Sequence, residues 1–118
     1  MNALTYAAIE QNKFNQTMAE FGHKAFTTFF GDLSIAEYVG GEDGVKDTYR
    51  NVVASWGNDI EYFTEFVIAL NHKIWEHYEK KPKLAEVYDN LWRKAQQLVE
   101  KNFKDDKDAL AYYYRETD

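Results

Sequence analysis

Five side chains able to hold a metal or receive a basic partner recur on one stretch of the chain: Glu61, Glu65, His72, Glu76 and Glu79. Their separations of four, seven, four and three residues return to one narrow helix face, because residues three or four apart stack on a helix surface. Carboxylate oxygens and an imidazole nitrogen suit a divalent cation, and the same carboxylates suit lysine or arginine side chains. The pattern equally describes the solvated stripe of a helix that is buried elsewhere, and Ile68 in its middle favours that plainer reading. The stripe is a candidate partner-contact surface, and no metal is assigned to it.

Other chemistries find less. A di-iron bundle needs two Glu-x-x-His pairs and two further glutamates on facing helices. Glu20 with His23 is one pair, but Ala69 and Ile74 stand three residues before His72 and His77, so the second is missing. His72 with Glu76 resembles a His-x-x-x-Glu fragment of hemerythrins, whose site needs more histidines than the three present. His77 falls at a core position, which predicts a buried, hydrogen-bonded imidazole rather than a catalytic base. His23 lies between the surface and the seam edge. No serine sits in a nucleophile elbow, and Gly40-Gly41 lacks both the fingerprint and the preceding strand of a phosphate loop. With no cysteine, disulfides, thiolate ligands and thiol nucleophiles are excluded together. A non-enzymatic role without a cofactor is the expectation.

These residues need elements to position them. Leu4, Ala7, Gln11, Phe14, Met18, Phe21, Ala25 and Thr28 or Phe29 alternate at three- and four-residue steps and predict one long amphipathic helix from Leu4 to Phe29. Gly31-Asp32 then reads as an interruption. Ser34-Ile35-Ala36-Glu37 has the form of a capping box, with Leu33 and Tyr38 as its hydrophobic staple, so a short second helix is expected, stopped by Gly40-Gly41. Val45, Tyr49, Val52, Val53 and Trp56 predict a third helix ended by Gly57. Asn58 is positioned to cap a fourth, with Ile60, Phe63, Val67, Leu70, Ile74 and His77 as its seam, widened by Phe66, Ile68, Trp75 and Tyr78. Pro82 opens a fifth helix through Leu84, Tyr88, Leu91, Ala95 and Leu98, and Asp105 or Asp106 caps a last short one holding Leu110, Tyr113 and Tyr114. The expectation is a single all-α domain over residues 1–118: a bundle of about four long helices and two short ones around the segment Asp59 to Glu79.

Composition narrows the partners. A chain of 118 residues with 45% apolar content can bury its own core. Residues 31–79 carry ten acids against three bases, a local charge of −7 within a total of −6, which disfavours direct nucleic-acid binding and favours basic partners. The longest apolar run, Phe66 to Leu70, is too short for a bilayer, no helix pairs an apolar with a basic face, and the N-terminus lacks a signal pattern, so a cytoplasmic protein off the membrane is expected. The 17% of aromatic residues exceeds what one seam per helix hides. Phe26, Phe29 and Phe30 on one side and Tyr112 to Tyr114 on the other crowd two short stretches, and Phe26, Phe30, Tyr112 and Tyr113 form a candidate aromatic interface.

The stretch Leu70-Asn71-His72-Lys73-Ile74-Trp75-Glu76-His77-Tyr78, with Leu91-Trp92-Arg93-Lys94-Ala95 and the ending Tyr114-Arg115-Glu116-Thr117-Asp118, resembles small uncharacterised helical proteins encoded in gut Bacteroidetes genomes or mobile elements. The resemblance implies a bacterial cytoplasmic setting and brings no activity, cofactor or catalytic residue with it. Three functions remain as expectations, in descending order. They are a protein-interaction module that also self-associates, an acidic imitator of DNA that occupies a nucleic-acid-binding protein, and a metal-dependent helical-bundle enzyme.

Overall fold

The computed structural model describes the backbone of residues 3–117 and the side chains of residues 21–117. The described residues form four helices and no strand: α1 (Ala3–Trp56), α2 (Ile60–His77), α3 (Pro82–Asn102) and α4 (Lys107–Thr117). The all-α class predicted from the periodicity is the one adopted. The seam positions from Leu4 to Met18 and the Glu20 carboxylate lie outside the described side chains.

α1 is two helical arms joined at Gly41, whose φ of 57° and ψ of −139° leave the helical region. Only glycine adopts that conformation at little cost, so the stop read at Gly40-Gly41 is a true reversal. Beyond it, residues 42–56 return alongside the outgoing arm. Gly44 lies so close to Ala36 that a Cβ on it would stand 2.3 Å from the Ala36 carbonyl oxygen. Further along, Phe29 and Asp32 share a shallow cleft with Val52 and Ser55, and Phe21 and Trp56 both stack on Tyr62 of α2.

The interruption predicted at Gly31-Asp32 does not occur. A glycine costs a helix about 1 kcal/mol, whereas burying a leucine stabilises by about 1.5–3 kcal/mol, and carrying the helix through Gly31 buries both Phe29 and Leu33. Ser34 is accordingly no cap: its hydroxyl donates to the Phe30 carbonyl one turn back, in mid-helix. Tyr38, cast as half of a staple, points to solvent instead. The short second helix and the third helix expected over residues 34–56 are one continuation and one return.

α2 is the central element, with Phe63 to Val67 consecutively buried, as a helix packed over most of its circumference requires. Its cap is Asp59 rather than Asn58: the Asp59 carboxylate accepts from the Tyr62 N–H at 3.1 Å. Pro82 opens α3, where Tyr88, Leu91, Ala95 and Val99 face the core at three- and four-residue steps. Asp106 caps α4 by accepting from the Ala109 N–H. Tyr88 lies beside His77, and the Asn102 amide donates to the Gly57 carbonyl, so α3 runs back down the length of α2. Trp75 and Tyr78, expected to widen the α2 seam, are exposed. Lys73 and His77 occupy the inward positions of that last turn, which leaves residues 75 and 78 on the far side. No helix of the described residues is long and apolar enough to cross a membrane.

Candidate functional site

The five residues of the acidic stripe do not share one environment. Glu61, His72, Glu76 and Glu79 are exposed, but Glu65 retains only 7% exposure, because the outgoing arm of α1 passes over it at Gly22. A Cβ on Gly22 would lie 3.2 Å from the Glu65 carboxylate, so glycine is what lets the two helices approach there. Burial pushes the Glu65 carboxyl up to about 7, and the charge of Glu116 on α4 adds to the shift. His72 rests edge-on against the Phe26 ring, 4.9 Å between centroids. Glu76 accepts from Lys73 at 2.8 Å and Glu79 accepts from the Tyr78 hydroxyl. Among the described residues no group of three or more carboxylates and imidazoles stands where it could enclose a metal ion.

The candidate aromatic interface is also divided. Phe26 and Phe30 are half-buried against the core, with ring centroids 5.7 Å apart, and Tyr112 is half-buried as well. Tyr113 is buried, against expectation, because it is the one aromatic of its run that α4 turns toward α2 and α3. Burial raises the hydroxyls of Tyr112 and Tyr113 to about 12, aided at Tyr112 by Glu116, Glu65 and Glu61 and at Tyr113 by Glu100. Trp56, Trp75, Tyr78 and Tyr114 face solvent, and so do three large apolar side chains that share a single turn and were not among the candidates. Ile35, Tyr38 and Val39 are 65%, 92% and 79% exposed, one helical turn of the outgoing arm just before the Gly41 reversal.

Behind that turn lies a polar cluster formed by Ser34, Glu37, Lys73, His77 and Tyr88. The Glu37 carboxylate accepts from the Tyr88 hydroxyl at 2.5 Å and from the His77 Nε2–H at 2.9 Å, with the Lys73 ammonium 3.7 Å away. Lys73, 1% exposed, donates to Ser34 at 2.5 Å and to Glu76 at 2.8 Å, and covers the Phe30 ring at 4.3 Å. His77 is buried and stacked on Tyr88, as its seam position predicts. Burial by itself would raise the Glu37 carboxyl, but the hydrogen bonds from Tyr88 and His77 and the charges of Lys73 and His77 outweigh it and hold it below the ordinary carboxylate value. The Tyr88 hydroxyl is pushed far up by burial and by its bond to Glu37. Every group in the cluster is already paired, so it acts as a clamp joining α1, α2 and α3 at the end of the bundle where α1 reverses.

One signal for this clamp was present in the sequence. Lys73 stands between Leu70 and His77 at seam spacing, and a cation at a seam position demands a buried anion. The anion was hidden by the capping-box reading, which put Glu37 to work inside a short helix.

A cleft of about 580 Å³ opens on the other side of α2, between it, α3 and α4. Val67 and Tyr113 form its base, Trp92 and Tyr114 its aromatic walls, and Asn71, Gln96 and Glu116 are among its polar groups. The described residues define a small all-helical bundle with an internal polar clamp and an amphipathic cleft between α2, α3 and α4. No protein-family model, no curated protein and no solved structure matches the chain.

Proposed function

We propose that this chain is a non-enzymatic protein-interaction module that docks through the outer face of α1 before the Gly41 reversal. The observation that carries the reading is the turn Ile35, Tyr38 and Val39, which leaves a large aromatic and two β-branched side chains in water with their helix clamped from behind. Large apolar groups collected on a rigid, solvent-facing turn gain free energy when a second surface covers them. A copy of the same turn offers a self-complementary cover, because a two-fold axis brings one patch against itself. The acidic-decoy reading draws less support: imitation of a phosphate row needs outward carboxylates, and Glu65 is buried while Glu76 is held by Lys73.

Sedimentation equilibrium of the intact chain and of the double variant Tyr38→Glu/Val39→Glu tests the docking face. The expected result is concentration-dependent association of the parent and a monomeric variant with unchanged helical circular dichroism. A parent that stays monomeric at millimolar concentration, or a variant that associates equally well, would sink the reading.

A further inference from the structure

We infer that the cleft between α2, α3 and α4 is a binding site for a guanidinium group. The site lies apart from the α1 face and does not depend on it. Its volume of about 580 Å³ falls within the range of small-ligand sites, about 300–1,000 Å³, and it combines an apolar base with a few convergent polar groups as such sites do.

The lining selects the ligand by charge and by shape. Among the described residues no lysine or arginine lines the cleft, its one carboxylate is that of Glu116, and His72 adds an imidazole at the α2 side. The neighbouring Tyr112 hydroxyl is raised by burial and then by the charges of Glu116, Glu65 and Glu61, which places these three acids around it. A phosphate or carboxylate ligand would meet this negative field with no ammonium or guanidinium among the described residues to receive it, whereas the field draws a cation in.

Among organic cations the walls favour a flat one. Trp92 and Tyr114 present aromatic rings, and a planar guanidinium can lie against such rings while its edge N–H groups point outward. Those donors find acceptors in the Glu116 carboxylate and in the side-chain oxygens of Asn71 and Gln96, a spread of oxygens that a compact ammonium cannot span as well. A competing cation nearby is Arg115, whose Nε stands 3.5 Å from Glu116. Both partners of that pair are solvent-exposed, so the contact is weak and yields readily to a ligand inside the cleft.

The guanidinium can belong to a free small molecule or to an arginine side chain of a protein. The test is an NMR titration of the full chain with N-acetylarginine methylamide, alongside the norleucine analogue and a hexapeptide carrying one central arginine. The expected result is saturable shifts of the Trp92 indole N–H and of the Asn71 and Gln96 side-chain amides with the arginine probe and none with norleucine. Glu116→Gln, an exposed change that leaves the core untouched, is expected to weaken binding about fivefold or more through the lost charged hydrogen bond. Tyr114→Ala is expected to weaken it as well. A peptide that binds tenfold tighter than the amide assigns the ligand to a protein partner, and equal affinity assigns it to a small molecule. Absence of saturable shifts at about 20 mM probe, where a millimolar site would be nearly full, overturns the inference. So does an equal response to norleucine, or an affinity unchanged by Glu116→Gln.

Discussion

Two glutamates of this chain are withdrawn from water in opposite ways. Glu37 sits where α1, α2 and α3 meet and is given two hydrogen-bond donors and a nearby ammonium, so its carboxyl titrates below the ordinary value of 4.5. Glu65 sits under Gly22 with the Glu116 charge close by, and its carboxyl titrates up near 7. Burial penalises the charged form at both places, and the partners alone decide the sign. Desolvation of a carboxylate is therefore structural where donors converge on it and a source of tension where another acid does.

The comparison breaks most visibly if Glu37 is removed. Glu37→Gln takes the buried anion from His77 and Tyr88 and leaves Lys73 with Glu76 as its only carboxylate among the described residues, and we expect a loss of about 3 kcal/mol in urea unfolding, the lower end for breaking a buried ion pair. Lys73→Met alone should cost a similar amount. In the double variant the two losses should fall short of additive, since each single change already removes the Glu37–Lys73 attraction. Strict additivity would show that the clamp is not one unit.

The opposite sign is expected at Glu65. The folded chain holds the proton between pH 4.5 and about 7 while the unfolded chain has lost it, so stability falls as pH rises through that window and levels off above it. Glu65→Gln should then stabilise the protein at pH 8 by about 1–3 kcal/mol and change it little at pH 4, measured by thermal or urea unfolding at both values. Glu37 contributes in the other direction: its stabilisation is present above 4.5, the unfolded value, and is lost as pH falls through its lower folded value. Parent and Glu37→Gln should therefore converge in stability under strong acid.

Smaller effects sharpen the same contrast between satisfied and unsatisfied burial. Tyr88→Phe removes one donor from Glu37 and should cost about 1.5–3 kcal/mol, the worth of a hydrogen bond to a charged group. The Thr64 hydroxyl, fully buried on α2, has no partner among the described residues. Thr64→Val keeps the shape and removes the orphan, so a gain of up to about 1 kcal/mol is expected in the same unfolding measurement.

Much of the fold was legible from spacing. Helical periodicity is a local property, and so are the Gly41 reversal, the Pro82 start and the Asp106 cap, each of which acts within a few residues of itself. The central place of α2 was legible too, because a helix apolar on nearly every side has to be surrounded. The break at Gly31 was misread for a physical reason: the glycine penalty is local and visible, whereas the burial of Phe29 and Leu33 that overrides it exists only once α2 is in place. That one misreading concealed both candidate surfaces of the region, since only an unbroken helix puts Glu37 inward and Ile35, Tyr38 and Val39 outward.

The chain by itself therefore determined the helical class, its charge and the absence of thiol chemistry, all of which depend on residue type and near-neighbour spacing. Tertiary structure decided which acids are buried, which aromatics face water and which cation meets which anion. Those outcomes join residues about forty to fifty positions apart, such as Glu37 with His77 and Tyr88, and no local pattern records such a meeting.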